Sequence, residues 1–415
     1  MYETIKKSKQ FIKAAKYDQA LNLLSEFLKK DPNTEAKILI HEEMAKIYVF
    51  MKNYTKAIEE IGAFFNDTEM LSFLGKIDEY ITERNKDRVK NTLLNNFEIL
   101  KKRTILKSKP SSMLVELTNK CNLRCIMCES VKNKYIISDT VLFDIIEHIK
   151  YFERITCLGG EVFLYDGFKT IMEYVRQYDT ELGVSTNGLL LNKNITMFEN
   201  MKVSLGISVD AFEKEKYEKI RINGKFDDLI SNLSELKNAV NKESFKNLTT
   251  QLYMVVMKDN YNDIMNALDF ALKYNFKALR FLKLNGSMQY NPNNYEMDFV
   301  IKRIHECMDT VEKEKYDIQI FTDPNLNIVR GNQKNLYNDK SIVRNEFSIK
   351  CNIPWKNLSV SVNNDFYFDC RCDRRIFGHF LNIDESWNSK TIKKIRQAII
   401  DGSSMETCKD CSILY

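Results

Sequence analysis

Three cysteines within eight residues carry the first chemical signal. Cys121, Cys125 and Cys128 lie in CNLRCIMC, entered from the apolar run MLVELT. The spacing C-x3-C-x2-C puts three thiolates on one tight loop, with no fourth cysteine close by. Three thiolates can hold three irons of a four-iron, four-sulfur cluster and leave the fourth iron open. Full four-cysteine ligation suits a cluster that only carries electrons, whereas an open iron suits chemistry. The alternative is a structural zinc site, which asks for four closed ligands, commonly two C-x2-C pairs or cysteine mixed with histidine. The next histidine after Cys128 is His148, inside an expected helix, so the ligand spacing favours the cluster.

Other residues of chemical interest follow short apolar runs. Gly159-Gly160-Glu161 begins 31 residues after Cys128. Two glycines let backbone approach a neighbour closely, and the glutamate offers an acceptor to an ammonium; the alternative is a plain strand-to-helix turn. Ser185-Thr186-Asn187-Gly188 and Ser208-Val209-Asp210 end two later runs, and helix capping is the alternative role for their short polar side chains. Near the C-terminus, Cys351 and Cys370 flank a hairpin pattern, LSVSVNNDFYFDC, and Cys408 and Cys411 form a C-x2-C pair. These four thiolates suffice for a second, fully ligated cluster, with zinc as the alternative and Cys372 as the rival to Cys370. Cys157 and Cys307 have no ligand spacing and read as core residues.

The elements that must position these groups are legible in outline. Residues 1–107 read as helical, with Gly only at 62 and 75 and Pro only at 32. Tyr17 and Ala20 recur as Tyr54 and Ala57, a shift of 37 residues, which resembles a pair of tetratricopeptide-like repeats; a generic helical bundle is the alternative. Two such repeats need a further surface to cover their open face. The polar run KSKPSS, residues 107–112, reads as a linker and domain boundary. From 113 to 285, strands are expected at 113–118, 154–158, 181–186, 203–209, 250–257 and 279–284. Helices are expected near 139–150, 167–178, 227–240 and 260–274. Six β-α units imply a parallel sheet with helices on its outer face, too few for an eight-fold barrel. The expected fold is therefore α/β, a partial (β/α)6 barrel, with functional groups at the C-terminal strand ends. Residues 286–350 read as a bridging segment with a helix near 296–314 and a flexible stretch at 330–345. Residues 351–415 read as a small cysteine-rich module with a helix near 389–401.

The order and spacing of these motifs over residues 113–285 resemble a radical S-adenosylmethionine (SAM) enzyme. That resemblance implies that Cys121, Cys125 and Cys128 hold a [4Fe-4S] cluster whose open iron is chelated by SAM. Met127 would fall in the loop position that sets backbone against the adenine. Gly159, Gly160 and Glu161 would bind the SAM amino group. Ser185, Asn187, Ser208 and Asp210 would take ribose and carboxylate positions, and Arg221, in YEKIRINGKF, the SAM carboxylate; a surface arginine is the alternative. Val256 and Met257 fall where relatives line the adenine pocket, with core packing as the alternative. The implied chemistry is one-electron reduction of the sulfonium, giving methionine and a 5′-deoxyadenosyl radical that removes a substrate hydrogen. No catalytic acid or base is identified. The C-terminal cysteines resemble the SPASM/twitch class, with Cys351, Cys370, Cys408 and Cys411 holding one auxiliary [4Fe-4S] cluster.

The resemblance implies a reductase, or a flavodoxin or ferredoxin, as electron donor, and a peptide or protein substrate for an oxidative modification. Oxidation or dehydration of a sugar or aminocyclitol is the alternative, and a non-catalytic metal-binding scaffold the remote one. The N-terminal helices could receive a peptide or a protein partner in a groove. The chain has 415 residues, 44% hydrophobic and 29% charged, enough for two or three domains. Its net charge of +5 resides in residues 1–110, which hold 21 Lys and Arg against 16 Asp and Glu. A solvated helical surface accounts for that excess, and no nucleic-acid partner is expected. No apolar run reaches about 18 residues, the N-terminus lacks a signal-peptide pattern, and a cytoplasmic location follows. Ten cysteines in such a chain suit metal ligation better than disulfides.

Overall fold

The computed structural model describes residues 1–128, 135–284, 288–323, 326, 351–368 and 376–403. Six α-helices open the chain: α1 (Tyr2–Lys13), α2 (Tyr17–Leu28), α3 (Thr34–Phe50), α4 (Tyr54–Gly62), α5 (Asp67–Lys76) and α6 (Lys86–Leu100). The 37-residue recurrence has a structural cause. Tyr17 and Tyr54 open the second helices of two successive hairpins, and Ala20 and Ala57 are fully buried where those helices meet their neighbours. The open face of the second hairpin is covered by α5 and α6, through Ala57, Ile58, Ile61, Phe73 and Phe97.

The six expected strands form: β1 (Ser112–Thr118), β3 (Arg154–Gly159), β4 (Glu181–Thr186), β5 (Val203–Ser208), β7 (Leu248–Val256) and β8 (Ala278–Lys283). Between them, β2 (Arg124–Cys125) and β6 (Arg221–Ile222) make a separate two-stranded ribbon. Neighbours β1-β3-β4-β5-β7-β8 are all parallel, as required when helical crossovers join them. The crossovers carry α7 (Asp139–His148), α8 (Phe168–Tyr178), α9 (Lys214–Ile220), α10 (Phe226–Ala239) and α11 (Ile264–Lys273). One face is sealed: Met113, Val115, Leu117, Ile155, Cys157, Leu252, Leu279 and Phe281 are fully buried. The alternate residues Leu114, Glu116, Thr156, Leu158, Tyr253, Arg280 and Leu282 are half-buried, so the second face is the open concave side of a partial barrel.

The sheet extends past the six strands. After α12 (Asn294–Glu314), β9 (Gln319–Thr322) adds in parallel to β8. Beyond α13 (Ile353–Lys356), β10 (Asn357–Val360) adds in parallel to β1, followed by antiparallel β11 (Asp365–Tyr367) and β12 (Gly378–His379). The hairpin of the C-terminal module is therefore continuous with the barrel sheet, a junction that its own alternating pattern does not reveal. Helices α14 (Ile383–Trp387) and α15 (Lys390–Ile400) follow. The flexible stretch expected at 330–345 lies outside the described residues. Among the described residues no helix is long and apolar enough to cross a membrane.

The expected linker at 107–112 is corrected. Ser108, Pro110 and Ser111 are buried. The Glu98 carboxylate accepts from Lys107 N, Ser108 N and Ser108 Oγ. Asn91 and Asn95 of α6 bond Lys109 O and Ser108 Oγ. Polar residues here serve as hydrogen-bond partners at a buried junction, which composition alone cannot distinguish from a solvated linker. Helix α6 also reaches Tyr151 O and the Glu153 carboxylate, just before β3. The helical domain therefore sits at the N-terminal end of the strands, opposite the cysteine loop. Arg84 donates to Arg176 O and Gln177 O, and Arg88 to Tyr178 O and Asp179 O. These guanidinium groups satisfy carbonyls left open at the C-terminus of α8.

Candidate functional site

The chain leaves β1 at Thr118 and enters the cysteine loop through Asn119 and Lys120. Asn119 Oδ1 accepts from Tyr135 N at 2.5 Å, and Asn119 N donates to Tyr135 O at 3.1 Å, so the two ends of the loop are clasped. Arg124 Nη1 donates to Cys121 O at 2.8 Å and Leu123 O at 2.6 Å, folding its side chain around the loop. Cys125 then pairs with Arg221 across the β2–β6 ribbon, and Ile126 N donates to Ile220 O at 3.0 Å. Cys128 N donates to Cys125 O at 3.1 Å in a tight turn. Cys121 and Cys125 are half-buried and Cys128 is exposed. Met127 packs partly buried against the main core.

Gly159 and Gly160 seat this loop. Gly160 N donates to Thr118 O at 2.6 Å and Glu161 N to Lys120 O at 2.8 Å. Gly159 has φ +139°, and a Cβ on it would overlap the Thr118 carbonyl. A Cβ on Gly160 would overlap Lys120 O and stand 2.7 Å from Asn119 C. The close approach anticipated for a ligand is thus made by the backbone that carries Cys121.

Glu161 is fully buried. Its carboxylate accepts from Thr186 Oγ1 at 2.8 Å, Asn187 N at 2.9 Å and Phe163 N at 3.4 Å. Burial nevertheless raises its pKa above the ordinary carboxylate range. Through these bonds the Glu161 carboxylate ties β3 to the end of β4. Asn187 Nδ2 in turn donates to Asn122 Oδ1 at 2.8 Å and lies 3.9 Å from Cys121 Sγ. Glu161 and Asn187 therefore support Cys121 from behind.

A second support stands behind Cys125. Asp210 is fully buried and Arg221 is 5% exposed. Asp210 Oδ1 accepts from Val255 N at 2.9 Å. Asp210 Oδ2 lies 2.6 Å from Arg221 Nη2 in a buried ion pair. Burial opposes the guanidinium charge, yet Asp210, with Cys125 and Tyr217, holds the Arg221 pKa above its ordinary value. The two opposite charges are buried together and compensate each other. Ser185 and Ser208 are half-buried near the C-terminal ends of β4 and β5. Val256 and Met257 are core residues, as are Cys157 and Cys307.

The donor set fits an iron–sulfur cluster. Burial pushes the Cys125 thiol up to about 11, helped by Asp210 and by the neighbouring Cys128 and Cys121, against the Arg221 charge. Cys121 is likewise raised by burial, with Cys128 contributing. Three thiolates carried on one loop of eight residues repel one another, a repulsion that bound cations reverse. Among the described residues, no three His, Cys, Asp or Glu side chains converge as ligands of one ion; a multi-iron cluster spreads its thiolates over several metals. Around Cys125, Tyr217 Oη and Arg221 Nε are buried without hydrogen-bond partners, which calls for a further polar group there. Of the C-terminal candidates, Cys351 is half-buried just before α13, whereas Cys370, Cys372, Cys408 and Cys411 lie outside the described residues. Thr118, Asn122, Thr186 and Tyr217 also belong to the site; the last three lie within the quoted motifs, which assign them no role.

Comparison with known proteins agrees with this geometry. Residues 115–271, from β1 through α11, match the family model described as the radical SAM superfamily. A GTP 3′,8-cyclase from Clostridium perfringens (strain SM101 / Type A) is 26% identical over 206 residues, covering 46% of this chain and 61% of that protein. The GTP 3′,8-cyclase of Synechocystis is 26% identical over 180 residues, covering 41% and 53%. The chain thus spans roughly half to three fifths of those relatives' length. Streptococcus suis SuiB bound to precursor peptide SuiA superposes with a TM-score of 0.58 at 15% identity, over 89% of this chain and 87% of that one. The protein anSMEcpe, with AdoMet and the Cp18Cys peptide, gives a TM-score of 0.50 at 18% identity, over 73% and 86%. These likenesses establish the fold: a radical SAM partial barrel preceded by a helical region.

Proposed function

We propose, from the match of residues 115–271 to the radical SAM superfamily model, that this chain abstracts a hydrogen atom from a peptide substrate using SAM and a [4Fe-4S] cluster on Cys121, Cys125 and Cys128. The carrying observation is the three-thiol loop, clamped at the C-terminal rim of the barrel by Gly159, Gly160 and the Cys125–Arg221 pairing. When bound, the cluster and SAM supply the one-electron chemistry. The chain's own residues position and shield. Glu161 and Asn187 hold the Cys121 side of the loop, and Asp210 and Arg221 hold the Cys125 side. Met127, Ser185 and Ser208 are the SAM-facing candidates at the rim.

A peptide substrate is supported by the shared fold with SuiB and anSMEcpe, both known with bound peptides. The sequence similarity to GTP 3′,8-cyclases favours a nucleotide as the second reading. An auxiliary cluster on Cys351, Cys370, Cys408 and Cys411, of the SPASM/twitch type, would carry electrons for a net oxidation. In its favour, β11 returns the chain beside β10, and Ser359 Oγ donates to Phe368 O at 2.9 Å, two residues before Cys370.

Anaerobic reconstitution followed by iron and sulfide analysis tests both clusters: about eight irons per chain are expected, and about four if the auxiliary cluster is absent. With SAM and a strong reductant, the protein should release 5′-deoxyadenosine, and Cys121→Ala should abolish that release. Iron-free protein that takes up zinc instead, or unchanged release from Cys121→Ala, refutes the reading.

A further inference from the structure

The concave face of the barrel holds an arginine prepared for an anion. Strand register places Gly206 beside Gln251, Ser208 beside Tyr253, Tyr253 beside Arg280, and Arg280 beside Phe321. In a parallel pair, registered residues share a face, and this one is turned away from the helices. The Tyr253 ring lies over Gly206, where any side chain would collide with it. Arg280 Nε donates to Gln251 Oε1 at 2.6 Å, and Gln251 Nε2 donates to Ser204 Oγ at 2.6 Å. The Arg280 guanidinium stacks on Phe321, with Cζ 4.2 Å from the ring centroid. Gln251 and Phe321 thus fix the plane of the guanidinium, and Ser204 holds Gln251. Among the described residues, nothing pairs with its two terminal amino groups, and the side chain is half-exposed to the chamber.

We infer that Arg280 is the anion-recognising residue of the substrate chamber, and that the group it takes is a substrate carboxylate. The inference rests on the peptide reading above. A fixed guanidinium presents paired donors that match a carboxylate in a two-pronged geometry. Stacking on Phe321 lowers the entropy cost of holding that fork in place. Along the register Arg280 is two strands from Ser208, roughly 10 Å across the sheet, so an anchored acidic side chain leaves its neighbouring atoms near the rim that carries the cysteine loop. Gln251 and Ser204 act through Arg280 and are positioning residues.

Saturation-transfer NMR on the full chain tests this with defined probes: N-acetylglutamate and its neutral isostere N-acetylglutamine, both used as their α-N-methylamides so that the glutamate side chain is the sole carboxylate, with pyrophosphate and SAM. The wild type should bind N-acetylglutamate at least about tenfold more tightly than N-acetylglutamine, the scale of a charge-assisted bond. Arg280→Gln should erase that preference, and Arg280→Lys should keep part of it. Gln251→Glu gives a second route, because a carboxylate there neutralises the fork while the arginine and its stack remain; it too should lose the acetylglutamate signal. Equal binding of the two amino acids by wild type, or an undiminished preference in Arg280→Gln or Gln251→Glu, overturns the proposal. Arg280-dependent binding of pyrophosphate or SAM without N-acetylglutamate overturns the carboxylate assignment. Conversion of an acidic peptide by reconstituted enzyme is scored separately, so a failed peptide reading is distinguishable from a failed Arg280 assignment.

Discussion

Arg221 and Asp210 decide between two roles for one pair of residues. As cofactor contacts, their removal weakens SAM binding and leaves folding alone. As a buried ion pair behind Cys125, their removal is felt by the fold itself. The Nη2–Oδ2 separation of 2.6 Å corresponds to a gross attraction of about 6 kcal/mol at an effective dielectric constant of about 20. Desolvation of two charges offsets much of that, so the pair adds little net stability. Removing one member is different, because it strands the other. Arg221→Met leaves the Asp210 carboxylate fully buried with only Val255 N as partner, and a cost of about 3–5 kcal/mol is expected. Asp210→Asn strands the guanidinium at a similar cost. In the double variant the asparagine oxygen still accepts from Val255 N and no charge remains, so the losses should not add. A coupling of about 2–3 kcal/mol is expected from the cycle. Anaerobic urea denaturation of the cluster-free chain measures it without SAM present. Single variants within about 1 kcal/mol of wild type, with an additive double, would show that the pair does not form and would return both residues to the ligand.

Two further predictions test the seating of the loop and the joint between the chain's two ends. Gly160→Ala forces a Cβ into Lys120 O and Asn119 C, so it should lower stability by about 1–3 kcal/mol and halve or worse the iron retained after reconstitution; unchanged melting and iron content would disprove the seating. Arg396 is fully buried, donates to Pro354 O, Thr104 O and Asn388 Oδ1, and stacks on Trp387. Arg396→Met leaves those acceptors unpaired at a cost of about 2–4 kcal/mol and should raise hydrogen exchange in α6 and α15 together, whereas exchange confined to α15 would refute a shared joint.

The barrel was legible because its signals are local. Each strand is a short apolar run, and a parallel strand buried beneath helices needs little else. The cysteine loop was legible because metal ligation demands fixed residue types at fixed spacing. What escaped depends on partners far away in sequence. Glu161 and Asp210 stand at the anticipated strand ends and Arg221 lies in the run YEKIRINGKF, but their side chains turn to Thr186, Val255 and one another, and no motif records whether a charge faces a ligand or a buried counter-charge. The β2–β6 ribbon is two residues deep, below any periodicity. Strand β9, QIFT, is too short to stand out from the polar segment around it. Arg280 has no motif at all. Its meaning comes from Gln251 and Phe321 on the adjacent strands.

The placement of the helical domain constrains what it can do. A groove that presented peptide to the cysteine loop would have to open toward the C-terminal ends of the strands. Helix α6 instead packs beneath their N-terminal ends, bonded to Lys109, Tyr151 and Glu153. The same helix reaches the C-terminal module: Asn95 Nδ2 donates to Trp355 O at 2.6 Å, and Trp355 Nε1 donates to Arg103 O at 2.7 Å. Trp355 lies four residues after Cys351 and begins the approach to β10, which is parallel to β1. Cys351 therefore belongs to the N-terminal end of that strand pair, while Cys121 leaves the C-terminal end of β1. Seven residues of β1 separate the two levels, about 23 Å of extended chain. The N-terminal helices thus buttress the end of the barrel that carries Cys351. They lie at the end of the strands opposite the rim that carries Cys121.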